Sequence, residues 1–194
     1  MTQQEPVLLK KVKVMRKISP TYAIWFSIIG LLVLVTCEIV RFDQPNDRDV
    51  ILITSIVPLL VYIPAIISTT ILHYGCWKAI PVEIARTTPG AAVGLLFVPF
   101  FNFYWYFVSY AGLAEDCAKA LGSNRSSRGL GITLGIISVS CWTVFAAIPL
   151  MIIPIGIAHF IVWLLYTFKM VASANELIGK RSPEASKPAE QAGA

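Results

Sequence analysis

The residues that could do chemistry are few and stand far apart. Glu38, His73, Asn102 and His159 lie within or at the edge of long apolar runs. A polar group in such a run is a functional candidate, because leaving it unpaired in an apolar medium is unfavourable. Glu38 stands three residues from Arg41, so an ion pair at the end of a helix competes with a pathway role. His73 and His159 could relay a proton, or could close a boundary and an interhelical hydrogen bond. Asn102 follows Pro99 in the middle of an aromatic stretch, Phe97–Tyr110, that holds nine of the 22 aromatics of the chain. A helix broken there could hold a ligand or line a pathway, since such breaks often form binding sites in transporters.

Other chemistry finds no foothold. There is no H-E-x-x-H pair, phosphate-binding glycine loop or G-x-S-x-G elbow, and no catalytic residue is assigned. Cys37, Cys76, Cys117 and Cys141 are widely spaced with no CxxC pair. Zinc ligands come in close pairs. The cysteines are therefore read as reduced and structural, with no metal and no cofactor expected.

The elements that must position these residues follow from hydropathy. The chain has 194 residues, 56% hydrophobic and 14% charged. Ordinary soluble domains carry roughly 45–50% and about 25%. The class is an all-α integral membrane protein, with the lipid bilayer as its first partner. The apolar runs predict spans at about 22–40, 50–72, 130–149 and 151–168, within a membrane domain over 22–172. Residues 130–168 carry no formal charge. As one helix they would reach about 58 Å, nearly twice the roughly 30 Å of a bilayer core, so they must fold back near Pro149 and Pro154. Pro58 and Pro64 should kink the second span. Residues 1–21 form a basic lead-in, and 173–194 a polar tail expected to be disordered from about 182. A cleaved leader would have a shorter apolar region and a small-residue site after it, so the first span is read as an uncleaved anchor.

The net charge is +5. It is placed for a membrane and not for nucleic acid. Lys10, Lys11, Lys13, Arg16 and Lys17 stand just before the first apolar run, where they suit anionic lipid headgroups and a cytoplasmic N-terminus.

Charge also bears on 91–121. If 91–113 crossed as a fifth helix, seven Lys/Arg would lie inside and nine outside, against the usual inside excess. If it enters and returns, fourteen lie inside and only Arg41 and Arg48 outside. The favoured fold is therefore four transmembrane helices plus one re-entrant or interfacial helical segment at 91–121, with both termini cytoplasmic. Five transmembrane helices are the alternative. Thr88 is a cap and Pro89 a first helical residue for the entering arm, and Asn102 a cap for the returning one. In that arm, helical spacing sets Phe103, Tyr106, Tyr110, Leu113 and Cys117 on one face, and Ser109, Gly112, Asp116 and Lys119 on the other. Gly131 and Gly135 form a GxxxG packing face, for use within the chain or between copies.

The run from Pro89 to Asn102, P-G-A-A-V-G-L-L-F-V-P-F-F-N, resembles a signature of bacterial multi-pass membrane proteins grouped as a domain of unknown function, P-G-x-A-V-G-x-x-F-x-P-F-x-N. The resemblance implies apolar spans on both sides and a return to the cytoplasmic face after the asparagine. Charges here come later than in that pattern, at Glu115, Asp116 and Lys119, which implies a deeper returning half. It implies no activity, cofactor or substrate.

The expected role is non-enzymatic: an accessory or interaction subunit in the bacterial cytoplasmic membrane, with a homo-oligomer or a membrane-protein partner both open. The alternative is an oligomeric channel or transporter-like protein with its site at Pro99–Asn102.

Overall fold

The computed structural model describes residues 16–124, 126–144 and 152–185. Among them the fold is helical throughout. Helix α1 (Thr21–Asp43) starts at Ser19-Pro20, and α2 (Arg48–Ala79) starts at Asp47. The Asp47 carboxylate accepts from the Asp49 and Val50 N–H groups at 2.9 and 3.1 Å, an N-cap that satisfies donors the helix cannot. After a loop, α3 (Pro89–Gly94) runs into a short 3-10 turn, Leu95–Phe97. The chain then turns at Pro99-Phe100 and returns through α4 (Phe101–Tyr106), a π turn (Phe107–Ala111) and α5 (Gly112–Leu121). Helices α6 (Arg128–Val144) and α7 (Ile152–Ala185) complete the bundle.

Among the described residues three helices are long and apolar enough to cross a membrane: Thr21–Asp43, Arg48–Ala79 and Ile153–Arg181. Only 11%, 17% and 28% of their apolar windows is buried within the chain. Trp25, Leu32, Leu59, Leu60 and Ile71 all stand more than 60% exposed, which a bilayer tolerates and water does not. The apolar stretch Arg128–Ser140 of α6 is shorter.

Side-chain contacts fix which ends lie together. The Asn175 amide, on α7, bonds both backbone groups of Ile18, accepting from N–H at 2.7 Å and donating to C=O at 2.9 Å. Ile18 also packs against Gly75 near the end of α2. At the far end, Gly156 on α7 faces Leu31 and Leu34 of α1. Helices α1 and α7 are thus antiparallel, and the start of α1, the end of α2 and the later part of α7 share one end of the bundle.

The spans and the helices differ in places. The second helix continues past residue 72 to Ala79, where Leu72, Cys76 and Trp77 are buried. Helix α7 continues past residue 172 through Ala185, because Ala174, Leu177 and Ile178 are buried against the bundle; the tail expected from 173 is helical there. Pro154 lies in the first turn of α7, where a missing N–H has no helical partner. Pro149 and Lys187 lie outside the described residues, as do Lys10, Lys11 and Lys13. Arg16 and Lys17 are exposed.

Gly131 and Gly135 are used within the chain. A Cβ on Gly131 would lie 2.7 Å from the backbone of Ala111, and one on Gly135 3.0 Å from the Phe107 ring. Helix α6 therefore packs backbone to backbone on the π turn. Gly131→Ala should lower stability by about 1–3 kcal/mol through overpacking, read as a fall in thermal midpoint in detergent. Gly129→Ala, whose Cβ would meet nothing within 4 Å, should leave that midpoint nearly unchanged.

Candidate functional site

Between Arg86 and Glu115 the chain runs 28 residues without a formal charge, and its two ends meet. The Arg86 guanidinium holds Asp116 on both carboxylate oxygens, with Nη2–Oδ1 at 2.7 Å and Nε–Oδ1 and Nε–Oδ2 at 3.1 Å. The Arg86 N–H adds a bond to Oδ2 at 2.9 Å. Asp116 is 1% exposed, so these bonds replace its water. Such a forked pair is stronger and more directional than a single ionic contact. Glu115 widens the cluster, reaching Arg86 at 3.0 Å, Lys119 at 3.1 Å and Arg128 at 3.9 Å. Its hydrogen bonds from Lys119 and Arg86 hold its carboxyl below the usual range. The bond to Asp116 leads the causes that raise Arg86 further. A Cβ on Gly112 would press on Arg86 Cδ at 3.0 Å, so the glycine leaves room for the guanidinium.

A second tie lies deeper. Short α3 ends with carbonyls that have no helical partner. One of them, Ala92 C=O, accepts from Trp105 Nε1–H at 3.0 Å and from the Ser109 hydroxyl at 2.8 Å. The Ser109 oxygen lies 2.7 Å from His73 Nε2, and Trp77 Nε1 lies 3.3 Å from the same nitrogen. His73 stacks on Tyr110, with ring centroids 4.5 Å apart, and the Tyr166 hydroxyl donates to Tyr110 C=O at 2.8 Å. A cavity of about 20 Å³ beside His73 is walled by Leu72, Tyr110, Trp163, Tyr166 and Met170, and its lining is mostly apolar.

Both faces of the returning arm are covered. Ser109, Gly112 and Asp116 were placed opposite the apolar face, yet all three are buried with Leu113, Ala114 and Cys117. Loop 80–88 and α3 cover one side of the arm, while α6 and α7 cover the other. Asn102 does not cap the returning helix either. It lies inside the first turn of α4, with Phe100 in the cap position, and its buried Oδ1 has no hydrogen-bond partner. Thr88 does cap the entering helix, its Oγ1 accepting from Ala91 N–H at 3.2 Å, with Pro89 as the first helical residue.

The turn itself is strained. Phe100 sits at φ 63°, ψ −41°, and Phe101 N–H donates to Pro99 C=O at 2.7 Å. This is a γ-turn of the rare positive-φ kind, which costs an L residue free energy. Phe100 is 87% exposed and Phe97 60%.

The other candidates stand apart from this site. Glu38 pairs with Arg41 at 3.4 Å, and Arg41 also donates to Thr54 and Ser55 on α2 at 3.2 and 2.9 Å. His159 Nε2 lies 3.1 Å from the Ser138 hydroxyl, joining α7 to α6. An open groove of about 310 Å³ between α5 and α7 carries Ser123, Ser127, Ser173 and Glu176. Among the described residues no group of three His, Cys, Asp or Glu could hold a metal ion.

Comparison with family models, with curated proteins and with solved structures finds no match.

Asp116→Ala should destabilise the protein by roughly 2–4 kcal/mol, less than for a fully buried pair because Arg86 is one-third exposed. Protease cleavage in loop 80–88 should accelerate in step. The folded-state pKa of Glu115 lies below its unfolded value. Its contribution is therefore complete above about pH 4.3 and fades as pH falls through the lowered value. Glu115→Gln should remove that acid-limb loss from a plot of thermal midpoint against pH, while the neutral-pH midpoint falls by no more than an exposed ion pair contributes, about 0–1 kcal/mol.

Proposed function

We propose that this chain is a four-span protein of the bacterial cytoplasmic membrane, serving as a non-enzymatic accessory or interaction subunit. In this reading α1, α2, α6 and α7 cross the bilayer. Both termini are cytoplasmic, and 89–121 is a hairpin that enters from the cytoplasmic side and returns. The Arg86–Asp116 pair carries the topological part, because it ties the residues before the hairpin to those after it. The resemblance of Pro89–Asn102 to a signature with a cytoplasmic return belongs to the same reading.

The functional part rests on where the buried polar groups spend their hydrogen bonds. His73 and Ser109 bind each other, Asp116 binds Arg86, Ser138 binds His159 and Thr54 binds Arg41. These groups are consumed in holding the fold, and none is poised on a substrate-sized cavity. A second reading, a channel or transporter-like protein, is favoured by the unpartnered Asn102 Oδ1 at the hairpin turn.

Single cysteines at Ser123 and Ser127, which precede α6, test the topology. Labelling only after cells are opened is expected; labelling of intact cells would mean a fifth full crossing. For function, purification in mild detergent after cross-linking should retain a defined membrane protein. Reconstituted vesicles that pass a solute, and stop doing so with Asn102→Leu at unchanged protein level, would replace the accessory reading with the transport one.

A further inference from the structure

The groove of about 310 Å³ between α5 and α7 is large enough for a small ligand, whose sites run from roughly 300 to 1,000 Å³. Its floor is apolar, formed by the buried Ala114, Ala118 and Met170. Its rim is polar, with Ser123, Ser127, Ser173 and Glu176. The hydroxyls of Ser55, Ser68 and Ser138 are each spent on a carbonyl of the preceding helical turn. Ser173 also stands within a helix, yet its hydroxyl has no such bond among the described residues and faces the groove.

The chain sets the depth of this groove. Residues 130–168 carry no formal charge. Ser127 stands just before that run, and Met170, Ser173 and Glu176 stand just after it. On the reading above that α6 and α7 both cross the bilayer, on which this inference rests, the two ends of that pair enclose the groove at the headgroup layer. Ala114 and Met170 lie on its bilayer side, because the deeper parts of the hairpin and of α7 continue from them.

Charge then selects the occupant. Lys169, Ser173, Glu176 and Lys180 follow one another along one face of α7 at helical spacing, and Arg128 adjoins Ser127. Glu176 is answered by Lys180 at 3.0 Å, and Glu115 by Lys119 at 3.1 Å. Arg128 reaches Glu115 only at 3.9 Å, and the exposed Lys169 has no ion pair among the described residues. Four cations against two carboxylates leave an excess of two positive charges around the groove. Basic pockets between helices at the cytoplasmic side take anionic headgroups.

We propose that this groove seats the headgroup of one anionic phospholipid. Its phosphate accepts hydrogen bonds from the Ser127 and Ser173 hydroxyls and faces Arg128 and Lys169. Its acyl chains follow Ala114 and Met170 toward the core. A zwitterionic lipid brings its own cation and would leave the excess charge unanswered; a free phosphate has no use for the apolar floor. The seat is separate from the attraction of the basic lead-in for anionic headgroups, because it has a shape and hydroxyl donors.

The test titrates the full chain in mild detergent with dioctanoyl phosphatidylglycerol, dioctanoyl phosphatidylcholine or inorganic phosphate, reading the thermal midpoint. Phosphatidylglycerol is expected to raise the midpoint to a plateau, and the other two to leave it unchanged. Lys169→Gln combined with Arg128→Gln should keep the lipid-free midpoint and weaken binding at least tenfold, about 1.4 kcal/mol. Ser173→Leu, which changes no charge, should weaken it as well. Lys78→Gln removes an exposed cation at the same end of the bundle but outside the groove, and should leave binding intact. An equal response to phosphatidylcholine or to phosphate would overturn the proposal. So would a phosphatidylglycerol response indifferent to both the double variant and Ser173→Leu. Single cysteines at Ser127 and Gly179 labelled from opposite sides of the membrane would remove the reading that α6 and α7 both cross. Labelling from one side, with no preference for the anionic lipid, removes the lipid seat alone.

Discussion

Everything in the middle of this chain depends on a carboxylate buried beside a guanidinium. A helix of α5's composition has no reason to bury Asp116, and a bare carboxylate taken out of water costs several kcal/mol. Arg86 offsets that by giving it two forked hydrogen bonds and a backbone N–H. Once that pair is made, loop 80–88 cannot leave α5, and residues 87–114 must leave and come back to one place. The strained turn, the short arms and the aromatic crowding between them are consequences of that closure.

The returning arm then has to be held against the bundle. Two devices do this at different depths. One is hydrogen bonding: Ala92 C=O, left over by the early end of α3, takes protons from Trp105 and Ser109, and Ser109 in turn meets His73 on α2. The other is close approach: α6 presents glycine where the π turn swells the arm. A π turn widens the helix and leaves carbonyls less regularly engaged. Tyr110 C=O in that turn takes the Tyr166 hydroxyl of α7. Polar and packing contacts thus alternate along one short segment and tie it to α2, α6 and α7.

The apolar helices were plain in the sequence because hydropathy is a local property, readable in one window. Thr88 and Pro89 were equally plain, since a cap is set by its nearest neighbours. The close approach at Gly131 and Gly135 was legible as a pattern, though its partner was not, because the pattern is the same within a chain and between copies. What escaped depended on distant residues. Asp116 and Ser109 fall opposite the apolar face by periodicity, and only Arg86, thirty residues earlier, and His73, thirty-six earlier, cover that face. Asn102 had the composition of a cap, yet the turn at Phe100 displaced it by two positions. Helix α7 outran its apolar stretch because Ala174, Leu177 and Ile178 still find buried neighbours.

The pair of hydrogen bonds between Ile18 and Asn175 has a consequence in time. The first helix is made early and the last one late, so Ile18's backbone groups wait through 157 residues of synthesis for one amide to arrive. Until then the entry to α1 is unfastened on the side where α7 will lie. Closure of that contact therefore reports that α7 is seated against the entry to α1. A chain whose synthesis stops short of Asn175 would hold its early helices without the amide that fastens the entry to α1.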